Sequence, residues 1–260
     1  TIRLSFFDIR GLSGAKFFGF NNYLLLWGDP NFQRSAVTTI AWTLVSTTVS
    51  VGIGWFVAVL CAYAPRETLV AQFMIFSAFG VSEAVTGFIW LGIYRPDAGG
   101  LLNSVLAAIG LPNLAHPWLG DGNTALWALI VAYAWGQVGL PLIVIFASAQ
   151  AIPRSLLEAA HVDGASAGAI MRNIIAPLSL PGVRVAAFIN LLGSLRAFDT
   201  IYILTNGGPV RSTETIGFFM YRETFTQYKL GYGAASTVVL LIAVLVVSIP
   251  AIIQRTSEAR

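Results

Sequence analysis

Few side chains in this 260-residue sequence can do chemistry, and the most informative ones stand inside long apolar runs. Glu83 lies between Phe79 and Phe88 in a stretch with no other charge. A carboxylate at such a place is costly, so it must pair or face a polar cavity. It can touch a solute hydroxyl, pair with Arg196 or face a partner helix. Asn190, Ser194 and Ala197 are spaced i, i+4, i+7, which places them on one stripe of a helix. An amide, a hydroxyl and a small side chain so arranged can hydrogen-bond a hydroxyl-rich molecule without holding it tightly. The same groups also serve as polar glue between helices. Gln137 is flanked by Gly136 and Gly139, with Pro141 following, the pattern of a helix that bends or admits a close neighbour. Arg196 and Asp199, three apart, suit a local ion pair.

Other chemistries are missing from the pattern. No GxxxxGK[ST] segment offers a phosphate cradle, so nothing here binds ATP. Cys61 is the sole cysteine and ends an apolar run, where it reads as a packed small residue. An intramembrane enzyme would need a His or Asp pair, or a serine with a base, at membrane depth. His116 and His161 fall in predicted loops, while Glu83 and Asp199 fall on different spans. No Lys/Arg block suggests nucleic acid, and the net charge of +3 is spread along the chain.

The elements that must position these residues are membrane helices. The chain is 56% hydrophobic and 10% charged, with mean hydropathy +0.74, where a soluble domain has roughly 25% charged residues. Five spans are expected: 35–64, 68–94, 122–153, 178–206 and 230–254. Each apolar run is long enough to cross a bilayer as a helix. Pro65, Arg66 and Glu67 make a turn so short that its two helices must be antiparallel neighbours. The longer connections, 95–121, 153–177 and 206–229, read as loops. Alternation puts 65–67, 153–177 and the C-terminus on one face and 1–34, 95–121 and 206–229 on the other. Lys/Arg counts, six on the first face with Arg184 and eight on the second, do not identify the cytoplasmic side.

One polar connection carries more information than the spans. Residues 158–177 read EAAHVDGASAGAIMRNIIAP. Leu156 to Val162 is rich in helix formers around the small pair Ala159–Ala160, and Gly164 suits a helix C-terminus. Such a helix can press its backbone into a groove of another protein, with Glu158 at the edge to meet an Arg or backbone donors.

This segment resembles the EAA loop of binding-protein-dependent ABC importer permeases. That pattern is EAA, three residues, Gly, nine residues, Ile, one residue, Leu-Pro. Glu158, Ala159, Ala160, Gly164, Ile174 and Pro177 fall in register, and Ala176 replaces the usual Leu. AIPRSLLEAA from Ala151 and FDTIYILTNGGP at 198–209 resemble the carbohydrate-uptake, maltose-transporter-like branch, and the likeness runs from about Phe18 onward.

The resemblance implies an all-α polytopic bundle with a core of six spans, one of them preceding Thr1. Residues 1–34 are then an extracytoplasmic segment, 35–254 the transmembrane domain, 153–177 its cytoplasmic loop and 255–260 a cytoplasmic tail. It implies a multi-pass protein of the bacterial inner membrane that imports a sugar, oligosaccharide or related polyol, phosphorylated glycerol included, by alternating access. The implied partners are a second, different permease subunit, two ATPase subunits that use ATP and Mg, and an extracytoplasmic solute-binding protein. No cofactor is expected on this chain. Glu158, Ala159, Ala160, Asp163 and Gly164 would couple to the ATPase, while Glu83, Gln137, Asn190, Ser194 and Ala197 would line the solute path. A passive channel would leave the EAA pattern unexplained.

Overall fold

The structure, a computed structural model, describes residues 1–11, 14–64, 67–97 and 99–258. Two residues of the short turn, Pro65 and Arg66, and the end of the tail at 259–260 lie outside the described residues. The helices are α1 (Asn21–Gly28), α2 (Pro30–Tyr63), α3 (Leu69–Phe79), α4 (Glu83–Ile93), α5 (Leu101–Ala108), α6 (Ala125–Gln137) and α7 (Gly139–Gln150). They continue as α8 (Arg154–Val162), α9 (Ala167–Ile170), α10 (Ala176–Leu178), α11 (Leu180–Leu195), α12 (Asp199–Leu204), α13 (Ile216–Tyr221) and α14 (Leu230–Glu258). A two-residue hairpin, β1 (Phe7–Asp8) against β2 (Lys16–Phe17), is antiparallel.

Two of the expected spans are single long helices. α2 has 34 residues, about 51 Å at 1.5 Å per residue, and α14 supplies another apolar run from Leu230 to Ile249. The other three are bent pairs. α3 and α4 turn by 102° across Gly80–Ser82, α6 and α7 by 47° at Val138, and the Ala167–Leu178 stretch by 58° against α11. Among the described residues, counting each pair as one span gives up to five, the number read from the sequence.

Proline accounts for two of these bends. Pro141 has no N–H for the Gln137 carbonyl, and Pro181 none for that of Pro177, so each removes a ladder bond just where the axis turns. At the third, Ser82 restarts the chain: its Oγ accepts from the Val85 N–H at 3.3 Å and opens α4. Glu83 is therefore the first residue of α4, at the break of this span, rather than inside a continuous helix. Ahead of Ala176 the backbone widens into a π-helical stretch over Met171–Ile175.

The connections 95–121 and 206–229, read as loops, hold helices of their own, α5 and α13, and 153–177 holds the expected helix as α8. In α5, Leu102, Asn103 and Leu106 turn inward at helical spacing. The glycines and prolines at both ends of that segment mark its boundaries, not its interior.

The chain packs as two compact units, residues 1–43, 87–129 and 195–260 in one and 44–86 and 130–194 in the other. The first unit has a core of Leu26, Phe32, Ile216, Phe219 and Ala235. Asn22 ties the N-terminal segment down by donating to the carbonyls of Ser5 (2.9 Å) and Phe7 (3.0 Å). Thr39 Oγ1 accepts from the Ile216 N–H at 2.8 Å, joining α2 to the start of α13. Asn103 holds the 95–121 connection through His116 and the Trp118 indole N–H, and His116 meets Asp121 at 3.0 Å. That places His116 in a structural contact.

A charged chain also runs through the 206–229 connection. Glu214, 1% exposed, meets Arg222 at 2.6 Å; Arg222 reaches Glu223 at 3.3 Å, and Lys229 reaches Glu223 at 3.0 Å. Burial pushes the Glu214 carboxyl above its ordinary value, while the hydrogen bond and charge of Arg222 oppose that shift.

The second unit is organised around Val51, Ala58, Cys61, Leu142, Ile145 and Ala186, with a further cluster of Val59, Ala149, Ile152, Ile170 and Ile175. Close approach depends on glycine. A Cβ on Gly54 would lie 2.6 Å from Pro141 Cβ, and one on Gly182 would lie 2.6 Å from Ser148 Cβ. Cys61 is buried in this core.

Removing one member of the buried pair gives a direct test. Arg222→Met leaves the Glu214 carboxylate without its nearest countercharge, at a cost of about 3–5 kcal/mol. The melting midpoint in detergent is expected to fall by roughly 10 °C, and adding Glu214→Gln should restore more than half of the loss.

Candidate functional site

The coupling segment is built locally. α8 follows Pro153 and runs to Val162, so the helix expected from Leu156 to Val162 starts two residues earlier. Its end is a Schellman motif. Gly164 has φ +75°, its N–H donates to the His161 carbonyl at 3.0 Å, and the Ala165 N–H donates to the Ala160 carbonyl at 2.9 Å. A side chain at 164 would make that conformation strained. Ser166 then caps the next helix by accepting from the Ala169 N–H at 3.3 Å.

One side of α8 is anchored and the other is free. Leu157 and Ala160 pack on the Val59–Ile170 cluster. The His161 ring lies nearly parallel to Tyr63 at the end of α2, centroids 6.4 Å apart, and its Nδ1 lies 2.7 Å from the Leu157 carbonyl. Glu158, Ala159, His161, Val162, Asp163 and Gly164 are exposed. Val162 is 87% exposed and Leu156 also faces outward. A short helix and its C-cap thus present small residues, two carboxylates (Glu158 and Asp163) and two apolar side chains, Leu156 and Val162.

The second group of candidates lies in the spans of the same unit. Gln137 Nε2 donates to Glu83 Oε1 at 3.3 Å, so the structure brings these two together. Each stands beside a helix break. Gly139 permits this: a Cβ there would be 2.7 Å from Phe79 Cβ and 3.2 Å from the Ile75 carbonyl oxygen. Asn190 and Ser194 are buried on α11. The Ser194 hydroxyl donates to the Leu191 carbonyl at 2.9 Å and lies 3.4 Å from Thr47 Oγ1 of α2. Both amide atoms of Asn190, 4% exposed, lack a protein partner among the described residues.

Ala197 departs from the expected stripe. α11 ends at Leu195, and Ala197 sits buried in the non-helical turn before α12. The i+7 spacing therefore does not place it on the helix face of Asn190 and Ser194. Asp199 is the first residue of α12, a favourable place for a carboxylate beside a helix N-terminus.

Sequence reasoning missed the hydroxyl stripe of α2. Ser35, Thr39, Thr43, Ser46, Thr47 and Ser50 are all buried and recur by three or four residues along one side of that helix. Within the second unit, the Thr47–Ser194 contact fixes the register of α2 against α11. Ser50 is three residues on from Thr47 and Asn190 four back from Ser194, which puts them at one level of this antiparallel pair. Testing Ser and Thr, as well as charged and amide residues, for helical spacing would have found the stripe.

Comparisons with known proteins bear on the family and the fold. A probable ABC transporter permease of Pyrococcus horikoshii is 35% identical over 252 residues, covering 96% of this chain and 86% of its own. The sn-glycerol-3-phosphate transport system permease protein UgpA of Agrobacterium fabrum is 32% identical over 241 residues, 92% of this chain and 80% of its own. Among solved structures, a chain of a bacterial ABC transporter involved in the import of the acidic polysaccharide alginate shares the fold. It has a TM-score of 0.81 at 20% identity, over 93% of this chain and 85% of that one. The family model of binding-protein-dependent transport system inner membrane components matches residues 31–260, and the chain belongs to that family.

Proposed function

We propose that this chain is one transmembrane subunit of an ATP-driven importer for a sugar, oligosaccharide or related polyol, driven through α8 by a separate ATPase. The observation that carries the reading is the exposed α8 with its Schellman C-cap, bearing Glu158, Ala159, Ala160, Asp163 and Gly164. The cap fixes the direction of the helix, and its anchored face ties it to the end of α2. A push on such a helix passes into the spans with little loss in bending. On this reading residues 153–177 face the cytoplasm, and 1–34, 95–121 and 206–229 face the other side.

ATP and Mg belong to two partner ATPase subunits, and this chain itself catalyses no reaction. A second permease subunit completes the pathway, and an extracytoplasmic binding protein delivers solute. ATP binding shifts the population from inward-open to outward-open by favouring one arrangement of the α8 helices. The solute class rests on the carbohydrate-type motifs and on the relatives: the names of UgpA and of the alginate importer point to hydroxyl-rich, acidic cargo. Hydroxyl and amide groups at Gln137, Asn190, Ser194 and the α2 stripe suit passing contact with such a molecule.

Two substitutions separate drive from passage. Gly164→Val costs the helix end roughly 1–2 kcal/mol through the left-handed backbone, and Glu158→Trp blocks the exposed face. In the reconstituted complex, solute-stimulated ATP hydrolysis is expected to fall about tenfold in both while the subunits remain assembled. Unchanged coupling would remove α8 from the mechanism. In the spans, Asn190→Leu deletes hydrogen bonds worth roughly 1.4 kcal/mol, or tenfold, to a polar solute. Vesicle uptake should show a raised KM for solute with basal ATP hydrolysis retained. An unchanged KM would assign Asn190 to helix packing.

A further inference from the structure

In the second unit an apolar groove of about 280 Å³ opens beside the last third of α2, where Trp55, Phe56, Val59 and Leu60 face Met171 and Arg172. Its depth follows from helix length. Leu60 is three residues and Trp55 eight residues before the end of α2 at Tyr63, so the groove runs from about 5 to 12 Å along the axis from that end. The Trp55 indole N–H donates to Ser179 Oγ at 3.1 Å, which fixes the ring as a wall.

The charge sits at one place only. Arg172 lines the groove and is exposed, and its guanidinium has no ion pair among the described residues. No acidic residue lines the groove. A site with an unpaired guanidinium beside an apolar slot matches an amphiphile with an anionic head and a hydrocarbon tail. A protein partner's side chain would not need that combination.

We infer that this groove holds one anionic phospholipid, its phosphate on the Arg172 guanidinium and an acyl chain along Trp55, Phe56, Val59 and Leu60. Guanidinium favours phosphate through paired, charge-assisted hydrogen bonds, and basic pockets among membrane helices select anionic headgroups. The inference needs only that the chain is embedded in a membrane. It does not depend on the solute or on the coupling role of α8.

The test is native mass spectrometry of the assembled complex, exchanged into vesicles of equal phosphatidylglycerol and phosphatidylcholine. Phosphatidylglycerol should be retained roughly fivefold over phosphatidylcholine, the weight of a single basic residue near the surface. Arg172→Gln should abolish the preference and Arg172→Lys should keep part of it; neither disturbs an internal ion pair. Gly168→Phe fills the groove from a position where a Cβ meets nothing within 4 Å, and should lower retention of both lipids. A preference that survives Arg172→Gln overturns the site. So does a photoreactive group at Phe56 that cross-links to a protein subunit instead of lipid.

Discussion

The structure depends on one constraint: a backbone amide in hydrocarbon must find its hydrogen bond within the protein. α2 meets it along its whole length as an uninterrupted helix. The other spans meet it with interruptions, and the polar side chains gather where the interruptions fall. Pro141 frees the Gln137 carbonyl, and the Gly80–Ser82 turn frees the last carbonyls of α3. The Glu83 and Gln137 side chains meet beside these two breaks, in close packing that Gly139 allows. A bend and a polar contact here are a single feature. Lipid would not tolerate the bend alone, and the close packing is what shields it.

The same constraint explains what could be read in advance. Long uncharged runs have one solution in a membrane, so α2 and α14 were legible to within a few residues. α8 was legible for a different reason: its limits come from local chemistry, Pro153 before it and the left-handed Gly164 after it. The EAA resemblance and the cap agree because both depend on a glycine at position 164. The breaks were legible only where proline marks them. Nothing in Gly80–Val81–Ser82 separates it from a continuous span, so Glu83 read as mid-helix. No proline marks the end of α11, and Gly193 lies before that end rather than after it, so the stripe through Ala197 overran it.

Tertiary pairing was the part that the sequence withheld. Glu214 and Arg222 lie in a connection that reads as polar and exposed, yet the carboxylate is almost fully buried. Only packing of α13 against α14 takes these charges out of water, and no spacing rule reveals that. The hydroxyls of α2 are an intermediate case. Their period is visible in the sequence, but serine and threonine are common inside membrane helices because they can return a hydrogen bond to the preceding turn. Ser35 and Thr39 do this, to the carbonyls of Asn31 and Ser35. Periodicity alone therefore cannot separate a self-satisfied hydroxyl from one with a longer-range partner such as Thr47.

Asn190 differs from those hydroxyls in a way that bears on movement. A serine can satisfy itself against its own helix; an asparagine amide has two donors and two acceptor lone pairs and cannot. Buried polar groups are paired in nearly all proteins, since leaving one unpaired costs about 1–3 kcal/mol. Neither amide atom of Asn190 has a protein partner among the described residues, and Ser50 Oγ at the same level of α2 has none either. Within the described residues nothing satisfies these groups, so their hydrogen bonds fall to water or to another molecule. A conformation that seals them off is raised in energy relative to one that admits either. A few kcal/mol is also the size of gap that separates the states of a protein built to switch. Buried polarity at this depth therefore weakens the hold of this packing against any other that hydrates these groups.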